Sequence, residues 1–224
     1  MGLIETFFNS HILASSIESL LSGFKLTILL GFTSLLLASL LGLILVVMRL
    51  YAVRPIRYVA IILIDLLRAI PLLVLLVIIY YALPFIGLRL SPFWAATTAL
   101  SLVACAYIAE TLRAGIEAVP AGQVEAAKAL GFSWWRMMAD IVLPQAIKVT
   151  IPPGTGIAIS LVKDTALASV VAMPDLLKQA TQAQAYFANP SPLIGAALLY
   201  LLLLLPLVRI VSVIEAKQKH NGER

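Results

Sequence analysis

The chain has 224 residues, 62% hydrophobic and 12% charged, with a formal net charge of +5. A mean hydropathy of +1.03 excludes an ordinary water-soluble domain and points to an integral-membrane protein. The positive balance is not that of a nucleic-acid binder, because no Lys/Arg cluster is interleaved with aromatic residues.

Met1–Leu21 has no basic leading segment and Glu5 is its first charge, so no cleaved signal peptide is expected. Met1-Gly2-Leu3-Ile4-Glu5-Thr6 formally matches a myristoylation pattern, which a multi-span chain with an outside terminus does not need. Leu3–Leu21 is expected to lie as an amphipathic segment at the outer interface. A membrane-crossing helix needs roughly 20 apolar residues. About five stretches qualify: Leu26–Met48, Val59–Pro84, Pro92–Ala109, Val149–Met173 and Pro192–Val208. The expected fold is therefore all-α, one integral-membrane domain over residues 1–224, with a cytoplasmic loop at residues 113–146. A soluble helical bundle is excluded because Leu26–Met48 carries no charge and no polar stripe.

Orientation follows from the basic residues. Arg49, Arg54 and Arg57 follow the first span, Arg113, Lys128, Arg136 and Lys148 lie between the third and fourth, and Arg209, Lys217, Lys219 and Arg224 form the tail. The other side has Lys25, Arg89 and Lys178. The N-terminus is expected outside and the C-terminus in the cytoplasm.

Charges at membrane depth are costly unless paired or wetted, so each is a candidate functional residue. Asp65 and Arg68 share a helix face near the cytoplasmic end of the second span, as an interfacial pair or as part of a gate. Pro71 removes a backbone donor just beyond them and suits a hinge. Glu110 ends the third span with Tyr107 and Arg113 each three residues away. It can pair with Arg113 or serve as counter-charge to a positive substrate group. The single Cys105, inside that span, offers neither a disulfide nor a thiolate metal site, and no metal ligation is expected. In the fourth span Pro144, Pro152, Pro153, Gly154 and Gly156 make a continuous helix unexpected. A span broken there would line a cavity. Lys163-Asp164-Thr165 follows, and Lys163 and Asp164 point in different directions on a helix. They can offer a cation and an anion to a zwitterion such as an amino acid, or neutralise partners on a neighbouring helix.

Between the third and fourth spans lies a polar island. Pro120 can start a helix and Gly131 can end it in a left-handed cap. Val124, Ala126, Ala127 and Leu130 are expected to form one small-residue face, flanked by Glu125 and Lys128. A second short helix is expected over Ser133–Val142 from the N-cap Ser133, with Trp134 and Trp135 suited to the interface and Pro144 limiting it. A small, alanine-lined helix can enter a partner's cleft closely, and the same pattern also fits a re-entrant amphipathic loop with no partner.

These residues carry a resemblance. Glu125-Ala126-Ala127, Gly131 and Ile141-x-Leu143-Pro144 resemble the cytoplasmic "EAA" loop of ABC importer permeases. Arg68-Ala69-Ile70-Pro71-Leu72, Ala106-Tyr107-Ile108-Ala109-Glu110, Arg113-Ala114-Gly115-Ile116, Gly122-Gln123, Leu143-Pro144-Gln145-Ala146 and Lys163-Asp164-Thr165-Ala166-Leu167 resemble the polar amino-acid (histidine/glutamine/arginine) branch of that family. The ordered set covers residues 20–212, and departs mildly where the family has Gly-Thr at Ala69-Ile70 and Ser at Ala166. The resemblance implies a transmembrane permease subunit of an amino-acid importer in a bacterial inner membrane. It also implies a second permease copy or close relative, two ATPase subunits that carry ATP and magnesium, and an outside solute-binding protein. Gln123, Val124, Glu125, Ala126, Ala127, Leu130 and Gly131 would couple to the ATPase. Lys163, Asp164, Thr165, Arg68, Pro71 and Glu110 would bind substrate or gate its path.

The chain has no Gly-x-x-x-x-Gly-Lys-Ser/Thr loop, so no ATP site of the Walker type and no cofactor of its own is expected. Two rivals remain. A secondary transporter or channel would use Lys163, Asp164 and Glu110 as an ion relay. An intramembrane hydrolase is disfavoured because the only histidines, His11 and His220, lie near the termini.

Overall fold

The computed structural model describes residues 2–222, without the side chains of residues 3, 4 and 214–222. The side chains of Lys217, Lys219, His220 and Arg224, part of the expected basic tail, lie outside the described residues. The described chain is helical throughout: α1 (Leu3–Phe7), α2 (Ser10–Tyr51), α3 (Arg54–Ala69), α4 (Leu72–Val77), α5 (Pro92–Glu117), α6 (Ala121–Ala129), α7 (Trp134–Met137), α8 (Leu143–Asp164), α9 (Leu176–Phe187) and α10 (Ser191–Gly222). Among the described residues 4 helical stretches are long and apolar enough to cross a membrane, or 5 if the broken pair α3 and α4 counts as one span.

The first span is longer than expected, and Leu3–Leu21 is not a separate interfacial segment. Asn9 accepts a hydrogen bond from Ile12 N at 3.1 Å, capping α2, and no proline interrupts the run from Ser10 to Tyr51. Its 42 residues make a helix about 63 Å long, roughly twice the hydrocarbon thickness. Only α1 stands apart at the N-terminus, held where Asn189 Nδ2 donates to Glu5 O at 3.2 Å and Asn9 N donates to Ser191 Oγ at 3.0 Å.

The second span is discontinuous. Proline pushes its predecessor out of the helical region, so α3 ends at Ala69, and Pro71, at φ −61 and ψ 131, caps α4. A π-helical turn (Ile78–Ala82) and a 3₁₀ turn (Leu83–Ile86) complete it before the left-handed Gly87.

The fourth span corrects the sequence-based expectation most clearly. It does not break at its prolines and glycines: α8 is continuous from Leu143 to Asp164 with Pro152 and Pro153 inside it. Each proline removes one N–H donor, but in lipid no water competes for the neighbouring backbone groups and the helix persists. Thr155 Oγ1 adds a hydrogen bond to Pro152 O at 2.7 Å. Neither Gly154 nor Gly156 has positive φ. Irregularity falls instead at the two ends, a π-helical turn at Met138–Val142 and a 3₁₀ segment at Thr165–Val171. Pro144 likewise does not limit the preceding helix. The run from α7 through the π turn into α8 has no gap, so Pro144 stands inside a continuous helical stretch.

Two compact units emerge from the contacts. One comprises the residues through Leu36, Ile70–Ser101 and Ile159–Arg209. Its core joins Leu20, Leu176, Ala180 and Ala196, with Phe24, Leu193, Leu199 and Tyr200 packed against them. Asp175, fully buried, caps α9 by accepting from Lys178 N at 3.1 Å, while Leu176 N donates to Thr27 Oγ1 at 3.1 Å. The other comprises Leu37–Ala69, Leu102–Ala158 and the residues from Ile210. Its core is Ala127, Met137, Met138 and Val142, with Ile116, Val119, Val124, Phe132 and Ile141 around it. In it α5 approaches α8 at Gly115, where a Cβ would stand 2.2 Å from Thr150 Cγ2, and Tyr51 packs edge-on to Trp134 at 5.2 Å.

Candidate functional site

The second unit builds a charged centre around Glu110. On α5, Arg113 lies one turn from both Glu110 and Glu117, the spacing at which helix side chains meet. Its Nη2 donates to Glu110 Oε2 at 2.9 Å and its Nε at 3.3 Å, and its Nη1 bonds Glu117. Arg49, in the last turn of α2, bonds the other oxygen, Glu110 Oε1. Arg68, in the last turn of α3, reaches Oε2 only at 3.8 Å, outside hydrogen-bond range. Glu110 is 16% exposed and Arg68 41%. The Arg68 guanidinium also lies 5.6 Å from the Tyr107 ring centroid, a cation–π distance.

The expected Glu110–Arg113 pair is therefore present within a larger cluster, and Arg68 pairs with Glu110 rather than with Asp65. Arg49 carries chemistry that its reading as a topology signal did not anticipate. A lone carboxylate in an apolar span demands cations, and the arginine ending the first span was the available signal.

Beside this centre is a cavity of about 340 Å³ lined by Arg68, Tyr107, Glu110, Thr111, Arg113 and Gly115, with Val149 and Pro153 from α8 closing one wall. Small residues on α5 let the two helix backbones approach here. The lining thus combines charged side chains, Arg68, Glu110 and Arg113, with apolar ones, Val149 and Pro153.

Lys163, Asp164, Thr165 and Pro71 belong to the other unit. Lys163 is exposed, Asp164 is the last residue of α8 and half-buried, and Thr165 is fully buried. The Thr165 hydroxyl donates to Val162 O at 2.7 Å. Among the described residues no group of three or more His, Cys, Asp or Glu could hold a metal.

The polar island forms α6 between Pro120 and Gly131, whose φ of +77 supplies the left-handed turn. Phe132 N then reaches back to Ala127 O at 3.0 Å. Ser133 caps α7, accepting from Arg136 N. The expected small-residue face is divided: Ala127 and Val124 turn inward onto Met137, Met138 and Val142. Gln123, Glu125, Ala126 and Leu130 are exposed, Leu130 at 77%. Helical geometry forces this split, because Val124 and Ala127 lie three apart on one side and Glu125 and Ala126 fall on the other. Gln145 Nε2 donates to Gln123 Oε1 at 2.6 Å, tying α6 to the first turn of α8.

Comparison with known proteins adds to this geometry. The family described as "Binding-protein-dependent transport system inner membrane component" matches residues 38–220. The arginine transport system permease protein ArtQ of Bacillus subtilis (strain 168) is 38% identical over 207 residues, covering 92% of this chain and 94% of that protein. A probable glutamine ABC transporter permease protein, GlnM, of the same organism is 37% identical over 215 residues, covering 93% and 97%. Among solved structures, an amino acid ABC transporter with histidines superposes with a TM-score of 0.86 at 33% identity, covering 92% of this chain and 96% of that one. The methionine ABC transporter MetNI, inward facing, matches with a TM-score of 0.66 at 22% identity, covering 96% and 99%, a likeness of fold.

Proposed function

We infer the function from one premise: this chain belongs to the binding-protein-dependent transport system inner membrane component family. It is a multi-pass membrane permease of the ABC importer type, a transport component whose substrate class is amino acids. The observation that carries the class is the match to 96% of an amino acid ABC transporter chain at a TM-score of 0.86. The relatives' printed specificities, arginine and glutamine, support the substrate class and leave the individual amino acid open.

The finer assignments are our reading. The chain sits in a bacterial inner membrane as one integral domain, N-terminus outside and C-terminus cytoplasmic. It pairs with a second permease copy or close relative, since about five spans are few to enclose a path. Two ATPase subunits, which bind ATP and magnesium, and an outside solute-binding protein complete the importer. The exposed Gln123, Glu125, Ala126, Leu130 and Gly131 side of α6 docks in the ATPase, with Val124 and Ala127 anchoring the helix to its own unit. ATP-driven closure of the ATPase pair displaces α6. The Gln123–Gln145 hydrogen bond and the Met137–Met138 packing transmit that displacement to α8. Arg68 and Glu110 in one unit, and Pro71, Lys163, Asp164 and Thr165 in the other, shape or gate the substrate path as access alternates.

The test is reconstitution in proteoliposomes with the cognate ATPase and binding protein. ATP-dependent uptake of a labelled amino acid is expected, and Glu125→Lys should lower uptake at unchanged permease abundance. Accumulation against a gradient by the permease alone would refute the reading and favour a secondary transporter.

A further inference from the structure

We propose that the cavity beside Glu110 is a carboxylate site: Arg68, backed by Arg113, binds the α-carboxylate of the transported amino acid, and Glu110 does not read a cationic group. The inference rests on the reading of this chain as an amino-acid permease and assigns a chemistry to one cavity within it.

The first observation is how Glu110 is occupied. Both its oxygens accept from guanidinium groups, Arg49 on Oε1 and Arg113 on Oε2, and Arg68 adds a third cation. A substrate ammonium or guanidinium at Glu110 would find at most one lone-pair site left, on Oε1, and would meet three positive charges. The second is the local charge. Arg49, Arg68 and Arg113 form ion pairs with Glu110 and Glu117, so three cations crowd Glu110 itself, while Asp65 lies one helical turn from Arg68. The third is the state of Arg68. A guanidinium carries five N–H donors in a fork that matches a carboxylate. Arg68 makes one contact to a carboxylate, at 3.8 Å, and is more exposed than Arg49 or Arg113. It lines a cavity of about 340 Å³, while the Tyr107 ring at 5.6 Å restricts where the guanidinium lies.

This site reads what all amino acids share. Glutamine and arginine present the same α-carboxylate, so discrimination between side chains must arise elsewhere along the path. Val149 and Pro153, in the same lining, offer apolar surface to the aliphatic stem of either.

The experiment uses the permease purified with its ATPase partner in nanodiscs. L-Glutamine, L-arginine and their α-amides are titrated against wild type, Arg68→Lys and Arg68→Gln, and amino-acid uptake by the wild-type complex with its binding protein is measured in parallel in proteoliposomes. Loss of a charge-assisted hydrogen bond predicts that Arg68→Gln weakens binding of the acid that wild type takes up on the order of 10- to 100-fold. The matching amide should bind wild type weakly and Arg68→Gln no worse. If both acids bind, both should lose the same factor. Equal losses for acid and amide, an unchanged acid affinity in Arg68→Gln, or a loss that depends on side-chain charge would each overturn the proposal while uptake by wild type upheld the permease function. If wild type takes up neither amino acid, the permease reading fails for these substrates and the carboxylate assignment falls with it. Should Arg68→Gln not assemble, Arg68→Lys, which keeps the charge without the fork, must weaken the acid and spare the amide, and equal effects on the two refute the site.

Discussion

Replacing Gly115 by alanine sets two opposing effects against each other at the closest approach of α5 and α8. Alanine in place of a helical glycine gains about 1 kcal/mol of helix propensity. The added Cβ, however, would stand 2.2 Å from Thr150 Cγ2 and 3.0 Å from Ala146 O, against an optimal separation of roughly 3.5–4.0 Å. Thr150 cannot simply rotate away, because its Oγ1 donates to Ile147 O at 3.1 Å, a bond worth about 1 kcal/mol net. The Ala146 carbonyl is backbone and yields only if α8 moves. Overpacking of this kind costs about 1–3 kcal/mol, so the net expectation is a loss of about 1 kcal/mol, or roughly 2–4 °C in Tm for a chain of this size. Thermal unfolding of the detergent-solubilised complex, followed by tryptophan fluorescence, measures it. Removing the Thr150 methyl as well, in Gly115→Ala/Thr150→Ser, should recover most of the loss, with an interaction energy of about 1 kcal/mol in the double-mutant cycle. A Tm increase in Gly115→Ala alone, or no recovery in the double variant, would show that the helices do not meet there.

Glu110→Gln removes the anion shared by Arg49, Arg68 and Arg113. Because the site is partly wet, the expected cost is roughly 1–3 kcal/mol, below that of a fully buried pair, and chemical denaturation of the complex should register it. Gly131→Val forces a β-branched residue to φ +77, a strain of about 1–2 kcal/mol at the end of α6. ATPase retention on an affinity column should fall, whereas Gly131→Asn should keep most of it, and equal retention would place the docking surface elsewhere. Asp175, which lies outside the apolar spans, has its carboxyl pushed up to about 6 by burial, against a usual value of 3.8. Its folded pKa exceeds its unfolded one, so the folded state holds the extra proton between pH 4 and 6. The contribution of Asp175 to stability is therefore fully present below about pH 4 and is lost as pH rises through about 6, by about 3 kcal/mol at most. Asp175→Asn keeps a good N-cap and should flatten Tm against pH in that window. A pH dependence equal to wild type would refute the assignment.

Much of the architecture was legible before any coordinates. The uncharged run Leu26–Met48 could only be a span, and Pro120, Gly131 and Ser133 delimited α6 and the start of α7, because capping chemistry is local. Pro71 marked a true break, since proline constrains the residue before it as well as itself. The same logic failed at Pro152 and Pro153, where local preference for a break was overridden by an apolar setting that protects the remaining backbone hydrogen bonds. It also failed at Leu3–Leu21, where nothing in the chain from Ser10 onward stops the helix.

Composition and hydrophobic run length were sufficient by themselves for an all-α, multi-pass membrane chain, because lipid imposes backbone satisfaction and span length on any sequence, and the resemblance of the ordered motifs added the amino-acid permease. Which charges meet was settled by packing. Arg49, Arg68 and Arg113 come from three helices, and only the folded unit gathers them on Glu110 and leaves Arg68 with unspent donors beside a cavity. Likewise, only the rotation of α6 about its axis decides that Ala127 faces Met137 while Ala126 faces outward, because azimuth depends on the neighbouring helices and not on the residues' own preferences.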